Sequence, residues 1–237
     1  MLELCNISKR YKTKEALNDI SLTLDNGIYG LLGPNGAGKS TLMNIITGNL
    51  EPSNGIVKWD EKEIKKLGAN YRSLLGYAPQ QQGMYDSFSG IRFLSYMATL
   101  KGISKKEVEE EINRVLNYVN MTNVAHQKIG TYSGGMKQRI LIAQAILGDP
   151  KIVILDEPTA GLDPKERVRI RERISKLSKE KIILVSTHVV SDIESIAKKI
   201  ILIKKGKIID EDSVEKLCQK YNVSNLEDVY MKIFGDE

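Results

Sequence analysis

Apolar positions along the chain fall into two rhythms, and their alternation predicts the order of elements. Ile20, Leu22 and Leu24 alternate with polar neighbours, as a half-buried strand requires, and Gly55-Ile56-Val57-Lys58-Trp59 offers another short strand. Gly27-Ile28-Tyr29-Gly30-Leu31-Leu32 is an apolar run of strand length. Behind it Leu42, Ile45 and Ile46 recur at helical spacing until Gly48-Asn49 stop the helix. The texture changes after Gln80. Ser89 to Leu100 reads as an unusually apolar helix, and Ser104 with Glu107 forms a capping box that opens a second helix. The stripe Val108, Ile112, Val115, Leu116 and Val119 lies on one face of that second helix. Strand and helix then alternate again. Ile140, Ala143 and Leu147 pattern a helix, while Ile152–Leu155 and Ile182–Val185 are the continuous apolar runs of a parallel sheet covered on both faces. From about Ser213 onward the pattern predicts a helix and a short tail. The expected class is therefore α/β, with a β-rich first part and a helical insert.

Composition narrows the partners more than the fold. With 237 residues, 41% apolar and 27% charged, the chain can bury the core of one large domain or two small ones. A net charge of +5 permits an anionic partner without choosing one. The pairs Lys9-Arg10, Lys65-Lys66 and Lys204-Lys205 are short enough to be solvated faces, and no basic stripe is interleaved with stacking aromatics, so no nucleic acid is expected. Cys5 and Cys218 form neither a metal pattern nor a disulfide framework, which suits a reducing compartment. Met1-Leu2-Glu3-Leu4 is not a charged-then-apolar leader, and no apolar run approaches the roughly 18 residues of a membrane span. The expectation is a cytoplasmic protein that does not cross a membrane by itself.

Candidate chemistry begins at Gly33-Pro34-Asn35-Gly36-Ala37-Gly38-Lys39-Ser40-Thr41, the G-x-x-x-x-G-K-[ST] pattern that cradles phosphates. Its context is right, because an apolar strand precedes it and a helical pattern follows. Lys39 at a helix N-terminus would otherwise cost about 0.3–1 kcal/mol, and an anion there reverses the sign. Nucleotide binding is the first expectation. Asp156 and Glu157 close the run from Ile152, beside the phosphate loop if the strands are neighbours. Asp156 then suits a Mg²⁺ ligand together with Ser40, and Glu157 can prepare a water in line with the γ-phosphate. Ser133-Gly134-Gly135 precedes a helical pattern, so it is either an N-cap serine with glycines that turn the chain or a second anion site. His188 follows the run ending Val185-Ser186-Thr187. His126 belongs to no pattern and reads as a surface or structural residue.

Six segments in order resemble the ATP-binding subunits of ABC transporters. They are Gly33 to Thr41, Tyr77-Ala78-Pro79-Gln80, Tyr132 to Arg139, Ile152 to Pro158, Ala160-Gly161-Leu162-Asp163 and Ser186-Thr187-His188, and the resemblance runs from Leu2 to about Gly206. It implies a phosphate-loop, RecA-like parallel sheet flanked by helices, with an N-terminal antiparallel β subdomain and an inserted α-helical subdomain. Residues 1–237 would then be one ATPase domain, with a nucleotide-binding core at 1–79 and 134–212, a helical subdomain at 80–133 and a short C-terminal helical tail at 213–237.

The same resemblance implies roles. Tyr11 would stack on adenine, although by itself it is also a plain strand-end tyrosine, and the loop from Gly33 through Pro34, Asn35, Gly36, Ala37, Gly38, Lys39, Ser40 and Thr41 would hold the phosphates. Gln80 would reach Mg²⁺ and the attacking water, joining Ser40 and Asp156 at the metal. Ser133, Gly134 and Gly135 would contact the γ-phosphate held by a second subunit, with Asp163 crossing the same interface while also capping its own helix. Catalysis would fall to Glu157, His188, Gln80 and Lys39. The signature segment departs from the commonest form, with Tyr132 where leucine stands and Met136 where glutamine stands. The resemblance implies an ATP-sandwiched homodimer, or a pair with a homologous subunit, that drives a separate membrane permease docking near residues 80–100 from the inner face of the cell membrane. Met84, Tyr85, Phe88, Phe93, Tyr96 and Met97 either face that partner or fill the insert's own core. The tail Leu226 to Gly235 is similar to that of ABC-2 type exporters, which points to export. The alternative is an ABC ATPase outside transport, serving iron–sulfur assembly or nucleic acid. A phosphate-loop GTPase is disfavoured because no Asn-Lys-x-Asp guanine reader is present.

Overall fold

A computed structural model describes residues 1–80, 83–177 and 180–235. The chain opens with β1 (Leu2–Tyr11) and β2 (Lys14–Leu24), and β3 (Gly27–Leu32) leads through the glycine loop into α1 (Lys39–Ile46). β4 (Asn54–Trp59), β5 (Lys62–Glu63), α2 (Ile64–Leu67), α3 (Ala69–Ser73) and β6 (Leu75–Ala78) follow. The insert carries α4 (Gly90–Leu100) and α5 (Val108–Val119), after which come α6 (Gly134–Ala145), β7 (Ile152–Asp156), α7 (Pro164–Leu177) and β8 (Ile182–Thr187). β9 (Lys199–Lys204), β10 (Lys207–Asp212), α8 (Val214–Tyr221) and α9 (Leu226–Phe234) complete the described chain.

Among the described residues these strands make two sheets. One is antiparallel in the order β2-β1-β4-β5, and the other runs β10-β9-β3-β8-β7-β6, parallel throughout except for β10. Alternation within the parallel strands decides what each face meets. Tyr29, Leu31, Ile152, Ile154, Ile182, Leu184, Ile201 and Ile203 pack with α1 and the antiparallel sheet. Their neighbours Ile28, Leu32, Val153, Leu155, Ile183, Val185, Ile200 and Leu202 pack with α4, α5, α6 and the C-terminal helices. A strand buried on both faces cannot alternate with polar residues, which is why these runs are continuously apolar. Ile154 is fully buried in this arrangement, so Ile154→Ala would cost about 2–5 kcal/mol.

The expected parallel sheet, antiparallel β part and helical insert are all present. Three details differ from the sequence reading. Ser104 bonds the Glu107 carboxylate at 2.6 Å instead of capping an amide, and α5 begins only at Val108. Leu147 is buried, but beyond the end of α6. The helical tail holds a second helix after α8 (Val214–Tyr221), where one was expected: α9 is capped by Asn225 and buries Leu226, Val229 and Phe234. Residues 81–82 of the expected docking stretch and 236–237 of the tail lie outside the described residues.

The aromatic stretch divides between its two readings. Phe93 is in the core, with Met84, Phe88 and Met97 packed against it, whereas Tyr85 and Tyr96 are exposed. Tyr85 stacks on Phe88 at 4.8 Å between ring centroids and meets Tyr96 edge-on at 6.0 Å. The Arg92 guanidinium lies 4.1 Å from the Phe88 centroid.

Candidate active site

The carboxyl ends of β3, β8 and β7 lie side by side, where open parallel sheets place their ligands. β8 stands between the other two, with Leu32 paired to Thr187 and Asp156 paired to Ser186. The acidic pair is therefore one strand further from the phosphate loop than direct neighbourhood would place it. The intervening strand contributes Ser186. The Ser186 hydroxyl donates to Asp156 Oδ1, while its hydroxyl and carbonyl oxygens accept from the Glu157 amide at 3.0 and 3.2 Å. Those two bonds hold Glu157 in a left-handed conformation (φ 49°) that a glutamate rarely adopts. Left-handed backbone turns its carboxylate off the strand and toward Lys39 and His188.

Lys39 is the buried cation of the site, with 7% of its side chain exposed. Its Nζ donates to the carbonyls of Gly33 at 2.6 Å and Pro34 at 3.3 Å, and lies 3.8 Å from Glu157 Oε1. Burial pulls its pKa down, while the charges of Glu157 and Asp156 oppose that shift. A buried ammonium is tolerated only with such partners. Glu157 Oε2 lies 2.9 Å from Nδ1 of the exposed His188, so one carboxylate joins the lysine to the histidine.

The loop is held by distant parts of the chain. Gly38 has φ 112°, and a Cβ there would sit 2.8 Å from both Ala16 O and Leu17 Cδ2. At Gly33 a Cβ would stand 2.2 Å from Ile203 O. Ala37 O accepts from Gly206 N at 2.8 Å, so β2, β9 and the β9–β10 turn all grip the loop. No side chain caps the start of α1. An uncapped helix N-terminus behind a glycine turn, with a buried ammonium beside it, fits a polyphosphate.

Tyr11, Lys14, Ala16, Pro34, Asn35, Gly36, Gly38, Lys39, Ser40, Thr41, Gln80, Asp156 and Glu157 line one cleft of about 240 Å³. Every expected nucleotide residue of the phosphate loop thus lines it or, like Gly33 and Ala37, is buried beneath it. Gln80 is exposed at the rim, and the ring of Tyr11 is open to solvent with Lys9 Nζ 5.4 Å from its centroid. Lys14 is a cleft residue that sequence reasoning missed, although its pairing with Tyr11 across a two-residue turn could have revealed it. A larger cavity of about 440 Å³, lined partly by Ile45, Leu50, Val57 and Tyr71, holds none of these groups, so chemistry and not volume marks the site. No cluster of three or more His, Cys, Asp or Glu side chains suited to a metal occurs among the described residues. Ser40, Gln80 and Asp156 line the same cleft, and such a small set suits Mg²⁺, which is usually held by one or two protein ligands together with phosphate oxygens.

Ser133, Gly134, Gly135 and Asp163 do not line the cleft. Ser133 Oγ caps α6 by accepting from Met136 N at 3.3 Å, and Asp163 Oδ1 caps α7 by accepting from Glu166 N at 3.0 Å. The two helix starts adjoin. The Glu166 carboxylate accepts from Arg139 of α6 and from Arg169, and Arg139 holds its pKa below the ordinary value despite burial. A Cβ on Gly135 would lie 3.5 Å from that carboxylate. Tyr132 is buried ahead of Ser133, with its hydroxyl donating to Val124 O at 2.9 Å.

A parallel sheet whose central strand feeds a glycine loop, with a buried lysine facing an acidic strand end, defines a phosphate-loop nucleotide hydrolase. The ABC transporter family's pattern matches residues 17–160. The chain is 37% identical over 222 residues to the uncharacterized ABC transporter ATP-binding protein YxlF of Bacillus subtilis (strain 168), covering 93% of this chain and 73% of that protein. It is 35% identical over 232 residues to the lantibiotic transport ATP-binding protein SrtF of Streptococcus pyogenes, covering 94% and 96%. Among solved structures it matches the dimeric ABC transporter cassette MJ0796 with a TM-score of 0.82 and 28% identity, over 90% of this chain and 98% of that one. The same cassette has also been solved as a post-hydrolysis dimer with ADP and Pi, matching with a TM-score of 0.81, 27% identity and the same coverage. The protein belongs to the ABC transporter family and is one of its ATP-binding, ATP-hydrolysing subunits.

Proposed function

We propose that two copies close around two Mg-ATP and so power a separate membrane permease, in the direction of export. One observation carries this reading. The cleft gathers Lys39, Asp156 and Glu157 from a single chain, while Ser133, Gly134 and Asp163, at adjoining helix starts, lie outside it and open to solvent. Residues that suit a phosphate but do not line their own chain's cleft are usable by a second copy. The dimeric state of the related MJ0796 cassette supports that arrangement.

In the proposed cycle the loop amides and Lys39 hold the β- and γ-phosphates, and Tyr11 stacks on the adenine. Ser40, Asp156 and Gln80 hold Mg²⁺, which when bound neutralises charge on the phosphate oxygens. Glu157 accepts a proton from the attacking water, oriented through its bond with His188. Ser133 and Gly134 of one copy, with Gly135 and Asp163, complete the phosphate site of the other. ATP favours closure because it binds the closed pair better than the open one, and moving from mostly open to mostly closed takes about 5.5 kcal/mol of such preference. Hydrolysis removes it. No described helix is long and apolar enough to cross a membrane. We place the permease on the exposed Tyr85, Tyr96 and Arg92 of the 80–133 insert, on the inner face of the membrane. The similarity to the lantibiotic transport protein SrtF supports transport, and the tail Leu226 to Gly235, similar to that of ABC-2 type exporters, favours export.

Glu157→Gln tests the scheme. With Mg-ATP it is expected to be inactive yet to sediment as a stable dimer, whereas the unsubstituted chain cycles back to monomer. Hydrolysis by the variant at the parental rate would remove Glu157 from catalysis, and sedimentation as a monomer at every protein concentration would remove the sandwich.

A further inference from the structure

The insert and the start of α6 are joined by more than packing. Main-chain bonds run from Gly130 N to Asp86 O at 3.0 Å, from Ile129 N to Phe88 O at 2.8 Å and from Ile91 N to Ala125 O at 3.0 Å, with an antiparallel bridge between Ser89 and Lys128. This short ladder ties the segment bearing Tyr85, Phe88 and Arg92 to the segment that ends at Ser133. Tyr132 closes it. Its side chain is buried to 6% exposure, and its hydroxyl donates to Val124 O at 2.9 Å while resting against the first residue of α4. The fit is close enough that a Cβ on Gly90 would lie 2.6 Å from the Tyr132 oxygen. A leucine at position 132 would fill part of the same space but could neither make the bond nor reach the Gly90 backbone.

From this geometry we propose that Tyr132 is a positioning residue: wedged between Gly90 and the Val124 carbonyl, it fixes the neighbouring Ser133 relative to α4, so that the exposed aromatic patch and the start of α6 move as one body. The proposal rests on the reading of Ser133 given above, and it deepens that reading by naming what aims the serine. Tyr132 does not line its own chain's cleft. Its effect is therefore on closure of the pair and on turnover, not on how tightly one chain's cleft holds ATP.

The Gly90–Tyr132 contact supplies its own test. Gly90→Ala drives a methyl into the tyrosine oxygen, and Tyr132→Phe removes that oxygen, so the double variant should fit again. For Gly90→Ala we expect kcat for ATP hydrolysis to fall about tenfold, as overpacking of a tight contact does, with KM for ATP unchanged within about twofold. Gly90→Ala/Tyr132→Phe should recover to within about threefold of the parent. Tyr132→Phe alone should raise, by about fivefold, the protein concentration at which Glu157→Gln dimerises with Mg-ATP, the effect of one lost neutral hydrogen bond.

Effects of the two substitutions that simply add, a KM that rises as kcat falls, or unchanged dimerisation of Tyr132→Phe would each overturn the proposal. So would a Gly90→Ala chain that fails to fold and is not rescued by Tyr132→Phe, because the contact would then be structural only. Ser133→Arg in the Glu157→Gln background separates this failure from failure of the underlying reading. If that variant still dimerises, the role given to Ser133 is wrong. If it is monomeric while the Gly90–Tyr132 pair shows no coupling, only the positioning role is lost.

Discussion

Two helices, α1 and α6, begin on glycine-rich turns, and their starts are built in opposite ways. At α1 the turn is held from outside: Gly38 takes a left-handed conformation against Ala16, Ile203 packs on Gly33, and Gly206 bonds Ala37. No side chain caps the helix, and a buried lysine stands over it. At α6 the start is self-sufficient, because Ser133 caps it and a Cβ on Gly134 would meet nothing within 4 Å. The first start is a pocket completed by the rest of its own chain. The second is a finished helix end that presents itself to something beyond the chain. Similar local sequences thus serve opposite purposes, and only tertiary packing distinguishes them.

Lys39 is a cation that belongs to one start and not the other, so its removal should tell the two apart most strongly. Lys39→Ala should lower ATP hydrolysis by about 10²–10³-fold or more, the usual cost of losing one preorganised charge at a reacting phosphate, as measured by phosphate release. Retention of a tenth of the parental rate would mean that the α1 start does not organise the chemistry. Next in size is the tie beneath α6. Arg139 and Glu166 are largely buried, and breaking such a pair from one side strands a charge. Glu166→Ala should cost about 2–4 kcal/mol in urea denaturation, and Arg139→Ala combined with it should cost less than the sum of the single changes. Additive losses would show that the two helix starts are independent.

Much of this was legible in the sequence, for reasons that differ from place to place. β3 was found to the residue because an apolar run bounded by glycines and turn residues has one reading. The insert helices were found because a buried stripe repeats at helical spacing regardless of what it packs against. β6 and β9 went unread. β6 is only four residues long, and lysines begin and end β9, so neither stands out until a sheet pairs them. At the site, the phosphate loop and the acidic strand end could be read because their residue types are chemically constrained. Ser186 stood out only as part of the segment leading to His188, and its bonding role is silent until its neighbour across the strands is known to be Asp156. The left-handed backbone of Glu157 was equally silent, being imposed by those bonds and not by its own preference.

A pair of glycine substitutions sharpens the contrast at smaller scale. Gly38→Ala should destabilise the chain by about 1–3 kcal/mol, because it meets both strain and close contact. Gly134→Ala should be neutral or stabilising by up to about 1 kcal/mol, since alanine is the better helix former and there is room for it. Thermal denaturation of the two variants reads the difference, and equal losses would mean that the two helix starts are built alike.

The smallest effect concerns the insert's anchorage. Burial holds Lys101 at a pKa of about 8, with its Nζ donating to Leu147 O at 2.7 Å. Between that value and the ordinary lysine pKa the unfolded chain binds a proton that the folded chain does not, so this group makes stability rise as pH increases through that window. Lys101→Met should remove a rise on the order of 1 kcal/mol between pH 8 and 10. A pH profile identical to the parent's would show that the lysine is not desolvated.

One contact at the far end of the fold has a practical meaning. Lys204 donates to Ile233 O at 2.6 Å and lies 5.7 Å from the centroid of the Phe234 ring. It follows directly on Ile203, whose carbonyl abuts Gly33. The last helix is thereby a brace on the strand that shoulders the phosphate loop. An affinity tag or reporter fused behind it would tug on nucleotide binding, whereas one placed before Met1 would remove only an exposed ion pair, that of the terminal ammonium with Asp60 just after β4.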